Sequence, residues 1–169
     1  FLIVGEGPAK ASLEKRVLEE NLTNVKFIPM LSPESYVELL QASDVCLVML
    51  NEKIRVPVIS SKLLTIMAAG RPVICSTNPN SEMKRLVSEA MCGLWVASGK
   101  PRELAGAILQ LHDNKGLVEQ MGRCGRQYAE RFFDKQENIG RFLEIIGLLK
   151  PYYLQKSTYI FLLVEESFR

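Results

Sequence analysis

The stretch Ser60–Ser76, SSKLLTIMAAGRPVICS, decides how this chain is read. Ser60 and Ser61 offer cap oxygens to a helix whose body is Leu63, Leu64, Ile66, Met67 and Ala68, and Gly70 followed by Pro72 stops it. Val73-Ile74-Cys75 then reads as a short buried strand. The first turn of a helix leaves backbone N–H groups unpaired and carries the positive end of the dipole. Lys62 places a cation there, where acidic residues are usually preferred. Two readings stay open. An anion such as a phosphate bridges the dipole and the lysine, or Lys62 extends into solvent from an ordinary helix start.

Working outward, the same strand-then-helix unit repeats. Phe1–Val4 is an apolar run ending at Gly5, as a buried parallel strand would be. Pro8 suits the first position of a helix that runs to about Glu20, with Leu13, Val17 and Leu18 inward and Asn21 ending it. Val25–Ile28 is a second strand, and Ser32-Pro33-Glu34 starts a second helix with Tyr36, Val37, Leu39 and Leu40 inward. Val45–Leu50 is a third strand. The connection 51–59, carrying Glu52, Lys53 and Arg55, leads directly into the Lys62 helix. A helix from Ser81, a strand at Gly93–Ala97 and helices near Pro101–Leu111, Lys115–Phe132 and Gln136–Leu149 follow. This alternation predicts an α/β fold, a Rossmann-like doubly wound parallel sheet flanked by helices. Chemistry in such sheets sits at the carboxyl ends of strands.

Composition narrows the function classes. A chain of 169 residues with 47% apolar and 24% charged residues is an ordinary globular domain. A net charge of +2, with acidic and basic residues interspersed, gives no footprint for nucleic acid. Four cysteines without metal-ligand spacing, and His112 as the single histidine, leave no zinc set and no histidine-dependent triad. No apolar run approaches the ~20 residues of a membrane span. Gly5-x-Gly7 invites a dinucleotide reading. It fails because Lys10 stands where a third glycine is needed, and the second strand ends in Phe27-Ile28-Pro29 without an acid.

SKLLTIMAAGRPVI is similar to the central motif of a subgroup of glycosyltransferase family 4 (group 1), the retaining enzymes of the two-domain GT-B fold. The resemblance runs from Phe1 to about Phe133 through Gly5-Glu6-Gly7-Pro8, Asn24-Val25-Lys26-Phe27, Ala42-Ser43-Asp44-Val45, Cys92-Gly93-Leu94-Trp95-Val96 and Leu104-Ala105. It implies the C-terminal, donor-binding half of such an enzyme. Residues 1–150 would form the nucleotide-sugar-binding domain, incomplete at its N-terminus, and 151–169 a tail whose apolar run Tyr159–Val164 fits no repeat. The expected partners are a UDP- or GDP-linked sugar, UDP favoured, and a missing N-terminal GT-B domain. No cofactor or metal is implied, and no nucleic acid. The location implied is cytoplasmic, including peripheral association of the full-length enzyme with the inner face of the cell membrane.

The resemblance also implies site residues. The donor diphosphate would rest on the amides of Ser61, Lys62 and Leu63. The base would lie near Met30 and Leu31, Gly5 would face the cleft, and Thr65 would lie near the ribose. No residue here is a catalytic acid, base or nucleophile. Two glutamates usual in the family are replaced by Pro57 and Thr65, and Ser60 stands for the usual proline. Thr65 is equally readable as a mid-helix threonine bonded to its own backbone. Met30 and Leu31 are equally readable as core residues, and Glu82 as a minor sugar contact or a solvated side chain. Two rival functions remain, a non-catalytic GT-B-like binding or assembly module and a sugar-nucleotide epimerase-type domain. By itself the chain is expected to be inactive.

Overall fold

Each strand of the protein is short, and each is followed by a helix. The computed structural model describes residues 1–54 and 58–153. In chain order the elements are β1 (Leu2–Val4), α1 (Lys10–Glu19), β2 (Lys26–Ile28), α2 (Pro33–Ala42), β3 (Cys46–Met49) and α3 (Ser61–Ala68). They continue with β4 (Val73–Thr77), α4 (Glu82–Glu89), β5 (Gly93–Ala97), α5 (Pro101–His112), α6 (Lys115–Phe132) and α7 (Lys135–Tyr153). The described part divides into two compact units, Phe1–Arg126 and a second that begins at Gln127. The expected tail falls outside the described residues from 154 onward, as do Arg55 and Pro57.

All strand pairs are parallel, as the alternation predicts. They form two sheets, β1-β2 and β3-β4-β5, where the repeat suggested one. In the larger sheet β4 is central and wholly buried, with Val73 facing Gly93 and Ile74 facing Leu94. Gly93 is dictated by this pairing, since a Cβ there would lie 1.8 Å from the Val73 carbonyl oxygen. Ile74, Val96, Ala107 and Leu111 form a core between this sheet and α5, extended by Leu104, Ile108, Leu117, Val118 and Met121. Leu63, Ile66 and Met67 of α3 and Met83, Leu86 and Val87 of α4 are buried too. Each such side chain stabilises by about 1.5–3 kcal/mol when fully removed from water.

Local signals explain the helix ends. Ser32, Ser60 and Ser81 are all N-caps whose side chains accept backbone amides. α3 closes in a Schellman arrangement, with Gly70 N–H bonding Met67 O at 3.0 Å and Arg71 N–H bonding Ile66 O at 3.2 Å. Gly70 takes the left-handed φ of +68° that this ending requires. Within the second unit Asp134 caps α7 by accepting the Glu137 amide at 2.9 Å, and Tyr128 packs on Phe132 at 4.5 Å between ring centroids.

Four expectations are corrected. Pro8 is not the first helical residue, because Lys10 N–H bonds Gly7 O at 3.1 Å and makes Pro8 and Ala9 the middle of a turn. Leu13 and Leu18 are exposed, Leu18 by 76%, so the apolar side of α1 is largely uncovered. β4 continues past Cys75 through Ser76 and Thr77, both buried, because neighbouring groups satisfy the Thr77 hydroxyl. The last helix passes through Pro151 to Tyr153.

Candidate functional site

The carboxyl ends of β3, β4 and β5 bring three loops together. Asn51 Oδ1 accepts the Lys53 amide at 2.9 Å and shapes the loop after β3. Asn78, after β4, donates from Nδ2 to Glu52 O at 3.2 Å. Gly99, after β5, has φ +76°, and a Cβ there would lie 3.3 Å from Glu52 Oε2. Beneath these loops, Trp95 Nε1 donates to Thr77 Oγ1 at 3.0 Å, and Thr77 Oγ1 shares a 2.7 Å bond with Ser81 Oγ. Lys84 Nζ sits 4.1 Å over the Trp95 ring, a cation–π contact. Among the described residues the buried Ser98 hydroxyl, beside this network, has no hydrogen-bond partner.

The connection after β3 ends at α3, whose N-terminus carries the predicted phosphate residues. Ser61 and Lys62 are exposed, while the Leu63 side chain is fully buried and anchors the first turn. The three expected amides are not equally free. Leu63 N–H bonds Ser60 O at 3.0 Å, and Lys62 N–H bonds Ser60 Oγ at a long 3.3 Å. The Ser61 amide has no hydrogen-bond partner among the described residues. The site therefore presents one open amide, one held by a displaceable hydroxyl, and one cationic side chain at a helix N-terminus. An anion is the ligand class this arrangement suits.

Thr65 Oγ1 donates to Ser61 O at 3.0 Å, the backbone-bonded arrangement. Its oxygen lone pairs stay available, but its proton is committed. Gly5 and Met30 lie at the carboxyl ends of β1 and β2, in the smaller sheet. Gly5 is required by its φ of +132° rather than by a close neighbour, for nothing lies within 4 Å of a Cβ built there. Met30 is 71% exposed and so is not core, whereas Leu31 is half-buried. No hydrogen bond among the described residues links these three to α3.

Other candidates fall away. Glu82 and Glu89 are both ion-paired to Arg85, at 2.7 and 2.9 Å, on the outer face of α4. The Arg71 guanidinium is engaged elsewhere, donating to Gln41 O at the end of α2. His112 is exposed and pairs with Asp113 at 2.8 Å, away from the loops. Burial pushes the Cys75 thiol up to about 11 and the Cys92 thiol up to about 12, so neither is a nucleophile near neutral pH. No group of three or more metal-ligating side chains occurs among the described residues. No helix among them is long and apolar enough to cross a membrane.

Parallel strands flanked by helices, with a helix N-terminus open at the carboxyl edge, place the fold with the GT-B glycosyltransferases. Sucrose-phosphate synthase from Thermosynechococcus elongatus superposes with a TM-score of 0.71 and 23% identity, over 87% of this chain and 38% of that one. Anabaena HepE in complex with UDP-glucose superposes with a TM-score of 0.70 and 19% identity, over 88% of this chain and 40% of that one. The particular family follows from sequence. Residues 1–114 match the family described as "Glycosyl transferases group 1", and the chain belongs to it. A curated relative, "Putative colanic acid biosynthesis glycosyl transferase WcaI" of Escherichia coli (strain K12), is 30% identical over 146 residues. That match covers 86% of this chain but 35% of the relative, so the chain spans about a third of its length.

Sequence reasoning missed Asn78, Ser98, Gly99 and the Thr77–Trp95 pair. The only signal available was their position directly after predicted strands.

Proposed function

We propose that this chain is the donor-binding half of a retaining, metal-independent glycosyltransferase that moves a sugar from a nucleotide diphosphate to a glycan or glycolipid acceptor. UDP is the favoured carrier. The observation that carries the reading is the N-terminus of α3, where an exposed Lys62 and an open Ser61 amide meet at the carboxyl edge of a parallel sheet. The donor diphosphate lies there, on the amides of Ser61, Lys62 and Leu63, with Ser60 Oγ swinging aside. Met30 and Leu31 flank the base, Gly5 faces the cleft, and Thr65 offers a lone pair to the ribose. The chemistry is electrostatic, since helix amides and Lys62 neutralise the departing diphosphate as the glycosidic bond breaks. The UDP-glucose complex of Anabaena HepE supports a nucleotide-sugar ligand.

Residues 1–150 act as the nucleotide-sugar-binding domain, with a tail beyond. The acceptor site belongs to an N-terminal GT-B domain outside this chain, so the chain alone is inactive. The complete enzyme works in the cytoplasm at the inner face of the membrane. The test is an NMR titration with UDP, GDP and NAD. A Kd on the order of 1 mM is expected for UDP, with shifts at residues 61–65 and 30–32. Shifts with NAD alone, or none with UDP and GDP in the complete enzyme, would overturn the reading.

A further inference from the structure

α3 has eight residues, roughly two turns, so whatever fixes its carboxyl end also fixes the amides at its start. The last four carbonyls of a helix have no partner within it and must find one outside. In α3 three of them find backbone. Thr65 O accepts Ala69 N–H at 2.9 Å, Met67 O accepts Gly70 N–H at 3.0 Å, and Ile66 O accepts Arg71 N–H at 3.2 Å. Ala68 O is denied the regular partner, because the residue four positions on is Pro72, which carries no N–H. The Arg126 guanidinium donates to it instead, from α6.

The packing around that bond leaves little play. A Cβ at Gly122 would lie 2.3 Å from Gly70 O, so glycine lets α6 seat directly on the turn that ends α3. A Cβ at Gly125 would lie 2.8 Å from Cys92 Cβ and 3.7 Å from Met67 Cγ, which brings the same turn of α6 against the buried side of α3. The charge is placed as well as the bond. α3 has no basic residue in its own last turn, so the Arg126 guanidinium meets the negative pole of the helix dipole from outside. At the other end the cap is weak, with Lys62 N–H at a long 3.3 Å from Ser60 Oγ.

We propose that Arg126 is a positioning residue of the anion site at α3. By holding Ala68 O and meeting the negative pole, it sets where the Ser61 and Lys62 amides stand and how strongly they attract a diphosphate. It acts through the helix, about 12 Å along the axis from the ligand. The inference rests on the donor-site reading, and adds that the anchor of this site lies on α6 rather than in the loops at the carboxyl edge.

The test compares Arg126→Met, which keeps much of the aliphatic stem and loses the guanidinium, with Arg126→Lys, which restores a charged donor. If Arg126→Met does not fold, Arg126→Gln, with a neutral donor, takes its place. Two readouts are taken on the 169-residue chain. Without nucleotide, the amide chemical shifts of Ser61, Lys62 and Leu63 should move in Arg126→Met and return toward the parent in Arg126→Lys, while those of Val96 and Leu111 stay. With UDP as the probe, Arg126→Met should bind about three- to tenfold more weakly than the parent, and Arg126→Lys should recover most of the loss. A merely structural role would lower the urea midpoint of Arg126→Met and leave shifts and affinity where they were. That outcome overturns the inference, as does weakened binding that lysine does not rescue. Equal UDP binding by the parent and Arg126→Met overturns this inference alone. Failure of the parent to bind UDP overturns the donor-site reading, and this inference falls with it.

Discussion

The two sheets use the same strand–helix–strand unit and end in opposite conditions. In β3-β4-β5 the central strand is buried along its whole length, and α3, α4 and α5 each bury side chains against the core. In β1-β2 no residue is buried, and the connecting α1 buries none either. Local chemistry is satisfied in both, through Gly5 after β1 and Asn21 with a left-handed φ of 52° after α1. Local signals therefore make a strand or helix, and only covering layers make a core. The anion site proposed at α3 stands on the covered sheet, which supplies the rigidity a fixed set of amides needs.

The comparison breaks first at its glycines. Gly93→Ala drives a Cβ into the Val73 backbone and should cost more than about 4 kcal/mol, abolishing cooperative urea unfolding. Gly7→Ala meets nothing within 4 Å and should unfold within about 0.5 kcal/mol of the parent. Next come the leucines. Leu111→Ala, at 1% exposure, should lose about 3 kcal/mol, whereas Leu18→Ala should be nearly neutral.

A smaller effect comes from pH. The folded state holds Cys75 and Cys92 at about 11 and 12 against an ordinary 9.0, so it keeps protons that the unfolded chain has lost. Their contribution is complete below pH 9.0 and is lost as pH rises toward about 11 for Cys75 and about 12 for Cys92. Stability should therefore fall by about 1 kcal/mol per thiol by pH 10, read from urea midpoints. A Cys75→Ala, Cys92→Ala variant should lose that slope whatever its baseline. Smallest is Ser60→Ala, which removes the α3 cap and should cost about 1 kcal/mol in the same assay.

Much of this was legible in the residues. The three serine caps, the Gly70 stop and the strand at Gly93–Ala97 all follow from local rules. The exposure of Leu13 and Leu18 was not legible, because periodicity says which side of a helix is apolar and not whether anything lies against it. Thr77 reads as loop until Ser81 and Trp95 are seen to satisfy its hydroxyl from four and eighteen positions away. The split between β1 and β3 was hidden for a similar reason, since strand alternation does not reveal which edges meet. At the candidate site the sequence marked Lys62, but not that Ser60 already occupies its amide.

The measurement that tests the central claim most directly is the UDP affinity of Lys62→Ala against the parent. A charge-assisted phosphate bond is worth roughly 1.5–3 kcal/mol, so affinity should fall about tenfold or more, with the fold unchanged. Equal affinity in the two proteins would contradict a diphosphate site at the N-terminus of α3.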